Sequence, residues 1–129
     1  MNYYYSKRLH NKTFQEAIEK VTLELQKEGF GILTEIDIKS ILKKKLNVDF
    51  YNYKILGACN PTFAYKALKA EDKIGTMLPC NVIIQEKELG IIEVSVINPI
   101  VSMQAVINES LIPIAMEVED KLQKVIKTI

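Results

Sequence analysis

The chain has 129 residues, a length typical of one domain, so we expect a single domain over residues 1–129. Its composition, 48% hydrophobic and 26% charged, is ordinary for a globular protein that builds a core without disulfides or a structural metal. Seventeen lysines and arginines against sixteen acidic residues leave a net charge of +1, which gives no reason to expect binding to nucleic acid or to an anionic membrane.

The N-terminal segment has no secretory signal pattern. Residues 1–8 contain three consecutive tyrosines but no apolar run after a basic start. No stretch of the chain approaches the roughly 18 apolar residues that span a bilayer. We therefore expect no membrane partner and a cytoplasmic protein, in which the two cysteines are free thiols.

The first half of the chain alternates strand and helix signals. A capping box at Thr13–Glu16 begins a helix that Gly29 ends, and a short second helix runs from a cap at Asp37 to Asn47. His10 follows the first strand and is predicted to lie in a loop. Aromatic and β-branched residues predict three strands in this half. The strands are at residues 2–8, 30–36 and 50–58.

The second half begins with a helix signal and then turns to a hairpin. Asn60-Pro61 is typical of a helix start, because Asn caps well and Pro suits the first helical position. Two strands joined by a short segment ending in Gly90 predict the hairpin. A long amphipathic tail helix is predicted to begin at a Ser110 cap, and residues 100–107 leave a further short helix open. The hairpin strands are at residues 81–85 and 91–97.

The element order β-α-β-α-β-α-β-β-α predicts the fold class. The hairpin requires an antiparallel pair, and the amphipathic helices require an apolar surface to cover. A two-layer α+β domain, in which one sheet is backed by helices, meets both requirements.

Three segments of the chain resemble, in order, the signatures of domain-of-unknown-function family 302. The segments are Glu28 to Asp37, Tyr53 to Pro61, and Ile74-Gly75 followed by Leu78 to Val82. The resemblance covers about Thr13 to Ile126. It implies a small bacterial or archaeal cytosolic protein, an α+β fold similar to the TATA-binding-protein-like class, and a homodimer. It implies no reaction, ligand, cofactor or catalytic residue.

A Cys-Asn dipeptide occurs twice, as Cys59-Asn60 and Cys80-Asn81, and each copy lies where a strand meets a turn. Functional side chains are often held at such junctions. Cys59 is predicted to precede a helix N-terminus, which favours a reactive or metal-binding thiolate. The competing interpretation is that both cysteines are small apolar residues of the core. If the two segments share a site, their Cα atoms should lie within about 10 Å.

Other residues add little to a catalytic interpretation. Glu35 and Asp37 share one face of a strand and are a candidate acid–base or cation pair, although Asp37 also serves as a helix cap. His10 is the one histidine, and a structural zinc site needs about four ligands, so we expect no metal site. Two thiolates remain chemically suitable for a soft monovalent metal.

These observations give three hypotheses about function. The first is a homodimeric module that binds a small ligand or a partner at Cys59, Asn60, Cys80 and Glu35. The second is a thiol-based redox enzyme with Cys59 as its nucleophile. The third assigns the Cys-Asn segments to the core and leaves function to a partner.

Overall fold

The computed structural model describes residues 2–129. Its five strands form one antiparallel sheet in the order β1-β5-β4-β3-β2. The strands are β1 (Tyr4–His10), β2 (Gly31–Asp37), β3 (Asn52–Cys59), β4 (Cys80–Glu88) and β5 (Ile91–Ile97). The helices are α1 (Phe14–Lys27), α2 (Ile38–Leu46), α3 (Pro61–Ala70), α4 (Pro99–Ser102) and α5 (Ile112–Thr128). Single turns of 3-10 helix at Ile74–Met77 and Glu109–Leu111 complete the path.

The core lies between the sheet and the two long helices α1 and α5. Side chains alternate between the two faces of each strand, so one face of the sheet can be apolar along its whole width. That covered face includes Leu56, Val82, Val94 and Val96, which are all buried. Residues of α1 and α5 such as Leu25 and Leu122 complete the same cluster. The predicted two-layer α+β fold is therefore confirmed.

Most of the predicted helix ends are also confirmed. Thr13 and Glu16 make both hydrogen bonds of the capping box. Gly29 has a positive φ of 88°, which glycine adopts without the strain of a Cβ. Asp37 accepts a hydrogen bond from the Ser40 amide at 3.0 Å. Asn47 ends α2 in the left-handed conformation, with φ of 52°.

The start of the tail helix differs from the prediction. Ser110 is not its N-cap, because the α-helix begins at Ile112 after a turn of 3-10 helix. The α-helix has no side-chain cap at Leu111, and it is the 3-10 turn that is capped, by Asn108, whose side chain accepts a hydrogen bond from the Ser110 amide. Asn108 also donates to the carbonyl of Ala70 at 2.8 Å, so a contact with α3 fixes where this segment turns. The short helix left open by the sequence exists as α4.

The β2–α2 arm, residues 31–48, projects from the sheet with little cover. β2 is an edge strand, and no residue of α2 is buried. Leu33 and Leu46 are 65% and 66% exposed, and Ile36 and Val48 are also open to solvent. The arm therefore presents apolar surface that the described chain does not cover. No helix within residues 2–129 is both long enough and apolar enough to cross a membrane.

Candidate functional site

The two Cys-Asn segments meet at one end of the sheet. β3 ends at Cys59 and the adjacent strand β4 begins at Cys80, with Ala58 and Cys80 as cross-strand partners. Partner Cα atoms lie about 4.5–5.5 Å apart, and consecutive Cα atoms about 3.8 Å apart. The Cα atoms of the two cysteines therefore lie within about 10 Å, in agreement with the predicted convergence.

The two cysteines nevertheless occupy register positions on opposite faces of the sheet. Cys80 shares a face with its partner Ala58, which is fully buried under the helices. Cys59 follows Ala58 directly and pairs with Gly31, so its register position is on the uncovered face, although Cys59 also borders the apolar cleft that Cys80 lines. This alternation opposes a disulfide or a shared metal between the two thiols. Among residues 2–129 there is no group of three or more His, Cys, Asp or Glu side chains arranged to hold a metal ion.

Both thiols are held in their protonated form. Burial raises the pKa of Cys80 to about 11, and the nearby Cys59 thiol contributes to the same shift. Burial also raises the pKa of Cys59, which is the opposite of the lowering expected beside a helix N-terminus. Because the thiolate is the nucleophilic form, neither cysteine has the environment typical of a reactive thiol.

Asn60 precedes α3 as predicted, but its side chain does not cap the helix. Its Nδ2 group instead donates a hydrogen bond to the carbonyl oxygen of Glu28, at 3.2 Å. The turn after α1 lies so close that a Cβ on Gly29 would be 3.0 Å from that nitrogen. Asn60 therefore joins the turn before β2 to the turn after β3, and the predicted cap is wrong.

Glu35 lies away from the cysteines. It pairs with Leu56 in the middle of β3 and forms a 2.8 Å ion pair with Lys54. Its side chain is about half exposed on the edge strand, where it lines no part of the cysteine cleft described below. The structure thus brings together Cys59, Asn60 and Cys80, but it does not bring Glu35 to them.

His10 is also remote from the thiols, and it does not lie in a loop. It is the last residue of β1, where it pairs with Ile91. β1 and β3 are separated in the sheet by β5 and β4. Because neighbouring strands lie about 4.8 Å apart, His10 is too distant to act as a base for either cysteine.

The Cys-Asn segments border a narrow apolar opening that we call the cysteine cleft. Its walls include Ala58, Cys59, Phe63, Pro79, Cys80 and Val118, and its volume is about 30 Å³. The cleft adjoins a wider space, the tail groove, between α4 and the start of α5, with a volume of about 410 Å³. Met103 and Ala115 line both spaces, so they form one continuous apolar surface.

Sequence reasoning missed a second recess, which lies on the uncovered face of the sheet. Gln85 and Ser95 are buried there although no helix covers them. The available signal was a polar residue in the middle of each hairpin strand, at positions that alternate with the apolar ones. Such a residue is usually solvated, so the sequence alone does not distinguish a recess floor from an ordinary outer face.

Comparisons with known proteins identify relatives of the whole chain. Residues 5–129 match the family described as "Domain of unknown function DUF302". A crystal structure of an uncharacterized conserved protein DUF302 from Bacillus stearothermophilus is 26% identical, with a TM-score of 0.89 over 99% of this chain and 98% of that chain. A search of curated proteins gives no match.

Proposed function

The chain belongs to the DUF302 family, and from that premise we propose that it is a homodimeric binding module rather than a thiol enzyme. The proposed binding site is the cysteine cleft together with the tail groove, and its ligand is an apolar small molecule or an apolar group of a partner. We also propose that the chain acts as one domain in the cytoplasm. The continuity of the two apolar spaces is the observation that carries the binding site.

The dimensions of the two spaces suit different parts of one ligand. The tail groove, at about 410 Å³, falls within the range of small-molecule sites, about 300–1,000 Å³. The cysteine cleft, at about 30 Å³, has room for little more than a methyl-sized group. The body of a ligand would therefore lie along α5, and only its tip would reach the Cys80 thiol.

The chemistry of the cleft favours binding over redox catalysis. A redox pair needs a thiolate at one of its two sulfurs, whereas burial raises the pKa of both Cys59 and Cys80 and so favours the protonated thiols. The two residues also occupy register positions on opposite faces of the sheet. A protonated, half-buried thiol behaves as a small polarisable apolar group, which suits an apolar contact.

A fluorescent apolar probe tests this binding site. We expect 1-anilinonaphthalene-8-sulfonate to bind the folded chain, and Ile112→Glu at the groove wall to weaken binding by about tenfold or more. Met116→Glu is the matched control, because Met116 lies one turn further along the same helix, outside the groove, with 55% exposure against 56% for Ile112. Equal effects of the two substitutions, or no effect of either, would contradict the proposal.

The β2–α2 arm supports the proposed homodimer. Four of its apolar side chains are between 38% and 66% exposed, so covering the exposed part of each gives a fraction of the about 1.5–3 kcal/mol of full burial, and a second copy can supply that cover. The arm carries charges of both signs, with Lys43 to Lys45 at one end of α2 and Glu35 and Asp37 at the other end of the arm. A twofold contact places the positive end of one arm against the negative end of its mate.

The mass of the particle in solution tests the dimer. We expect light scattering to give twice the chain mass of 14.7 kDa at micromolar concentration. The double substitution Leu33→Asp with Leu46→Asp should give the single-chain mass, because it places carboxylates in the proposed interface. Leu89→Asp is the control, since Leu89 is 96% exposed at the distant hairpin turn and should leave the mass unchanged. A wild-type chain that stays monomeric would refute the dimer.

A further inference from the structure

The uncovered face of the sheet carries a concave space that we call the sheet recess, lined by Tyr3, Tyr4, Tyr53, Ile83, Gln85 and Ser95 among others. Its volume is about 420 Å³, and it lies on the opposite side of the sheet from the helices. A space of this size lies within the range of small-molecule sites. The recess is separate from the cysteine cleft, so it is independent of the binding site proposed above.

The floor of the recess contains a buried amide with spare hydrogen-bonding capacity. Gln85 is only 8% exposed, and its one side-chain hydrogen bond runs from Nε2 to the Tyr51 hydroxyl at 3.5 Å, the limit of such a bond. Within residues 2–129 no group donates to its Oε1. Ser95 lies beside it, with its hydroxyl 2.7 Å from that of Ser6. That oxygen is open to solvent, because no fully enclosed side-chain polar atom of residues 2–129 lacks a partner, so it is free to accept a hydrogen bond from a ligand.

Aromatic groups form the two sides of the recess. On one side the rings of Tyr3 and Tyr4 pack edge to face, 4.9 Å between centroids. On the other, Tyr53 packs against Tyr51, 6.1 Å between centroids. Burial is the main reason that the pKa of Tyr53 is raised, and the nearby Tyr3 hydroxyl also contributes. The rings of both sides line the same recess, and flat rings of this kind stack on a planar ligand.

The charges at the rim are balanced. Lys87 and Glu93 line the recess with one charge of each sign, and Glu93 is also within 3.5 Å of Arg8. No cluster of basic residues is present on this part of the described chain to attract a phosphate or a carboxylate. The rim therefore favours a ligand without net charge.

We propose that the sheet recess binds a neutral planar heteroaromatic small molecule of about the size of a purine, whose edge carries a hydrogen-bond donor beside an acceptor. Gln85 forms the paired hydrogen bonds to that edge, because its amide presents a donor and an acceptor in one plane. Tyr53 stacks on the face of the ligand, and Tyr3 and Tyr4 close the opposite side.

Adenosine and guanosine are suitable probes, because each base is planar, neutral and has adjacent donor and acceptor groups. We expect calorimetry on the full chain to detect at least one of them with a Kd below about 1 mM. Tyr53→Ala should weaken binding by about tenfold through loss of stacking. Tyr65→Ala, which removes a ring that is 64% exposed on α3 and outside the recess, should have no effect. If neither nucleoside binds to the folded protein, the proposal is overturned.

The role of Gln85 is tested by a double comparison. N6,N6-dimethyladenosine keeps the planar base but lacks the donor hydrogens, so it should bind the wild-type chain about tenfold more weakly than adenosine. In Gln85→Leu the two nucleosides should bind equally. Because the wild-type comparison needs no substitution, it remains decisive if Gln85→Leu does not fold. Equal binding of both nucleosides to the wild-type chain overturns the proposal. The proposal also fails if Tyr53→Ala changes the particle mass and leaves nucleoside binding unchanged, since the face is then an interface between two copies.

Discussion

The two Cys-Asn segments are identical as dipeptides and lie side by side, yet they occupy different environments. Cys80 lines the apolar cleft from a register position on the helix-covered face, whereas Cys59 borders the same cleft from a register position on the uncovered face. Asn60 donates a hydrogen bond to the Glu28 carbonyl in the turn after α1, while Asn81 lines the sheet recess. The difference arises because side chains alternate along each strand and the pairing register offsets the two dipeptides by one residue. Position in the sheet, rather than residue type, therefore determines what each cysteine can do.

A carboxylate at each cysteine position should give the largest difference between the two segments. Cys80→Asp places a charge among the apolar walls of the cleft without a partner and should destabilise the fold by about 3–5 kcal/mol. Cys59→Asp lies on the uncovered face beside the start of α3, so its cost should stay below about 1 kcal/mol. Denaturant unfolding of the two variants measures both values. Similar losses at the two positions would contradict the difference in environment.

Alkaline pH should also lower the stability of the fold through Cys80. The folded chain holds the pKa of this thiol at about 11, against 9.0 for the free group, so the unfolded state loses its proton first. The corresponding stability is complete below pH 9 and is lost as the pH rises from 9 to 11, a change of about 2–3 kcal/mol. Comparison with Cys80→Ala removes the effect of other titrating groups. If the wild type and this variant show the same pH dependence, the cleft does not hold a protonated thiol.

A methyl group at Gly57 tests the contact between the two segments. A Cβ there would lie 2.8 Å from Pro79 Cγ and would overlap the Thr34 hydroxyl, so Gly57→Ala should cost about 2 kcal/mol. Gly31→Ala is the control, since nothing lies within 4 Å of a Cβ on that neighbouring strand. Thermal unfolding distinguishes them, and equal stability of the two variants would show that Pro79 does not close over β3.

The smallest effect is expected at Asn60. Loss of its hydrogen bond to Glu28 in Asn60→Ala should cost about 1 kcal/mol. Asn60→Asp should be no more stable, because a carboxylate cannot donate to that carbonyl. A helix cap would behave differently, since Asp caps as well as Asn does. Thermal unfolding of both variants distinguishes the hydrogen bond to Glu28 from a helix cap. An Asn60→Asp variant as stable as the wild type would restore the capping interpretation.

Local signals in the sequence predict much of the fold. β5 has the predicted bounds, and the capping box at Thr13–Glu16 forms as expected, because both depend on residues close together in the chain. The start of α5 is different, since it depends on the contact between Asn108 and the carbonyl of Ala70, 38 residues away. The first strand extends to His10 because its antiparallel partner continues to Ile91.

The candidate site could be predicted only in part, because it also depends on contacts between residues that are distant in the sequence. The sequence places both Cys-Asn segments at strand ends, and the structure brings those ends together. The sequence does not specify the register of β3 on β4, and a shift of one residue would place both thiols on the same face of the sheet. From the sequence, an amide in the first turn of α3 is the expected partner of the Asn60 side chain. In the folded chain the side chain bonds instead to the Glu28 carbonyl, 32 residues earlier.

We propose that the Cys-Asn segments form a binding cleft with an inert thiol and not a redox site. The most direct measurement is the rate of iodoacetamide alkylation of the single-thiol variants Cys59→Ser and Cys80→Ser between pH 6 and 10. We predict that Cys80 is protected unless the chain unfolds, and that Cys59 reacts slowly at pH 6, with a rate that rises through alkaline pH because burial raises its pKa. Rapid alkylation of either thiol at pH 6 would contradict the proposed inert thiol and favour a thiol enzyme.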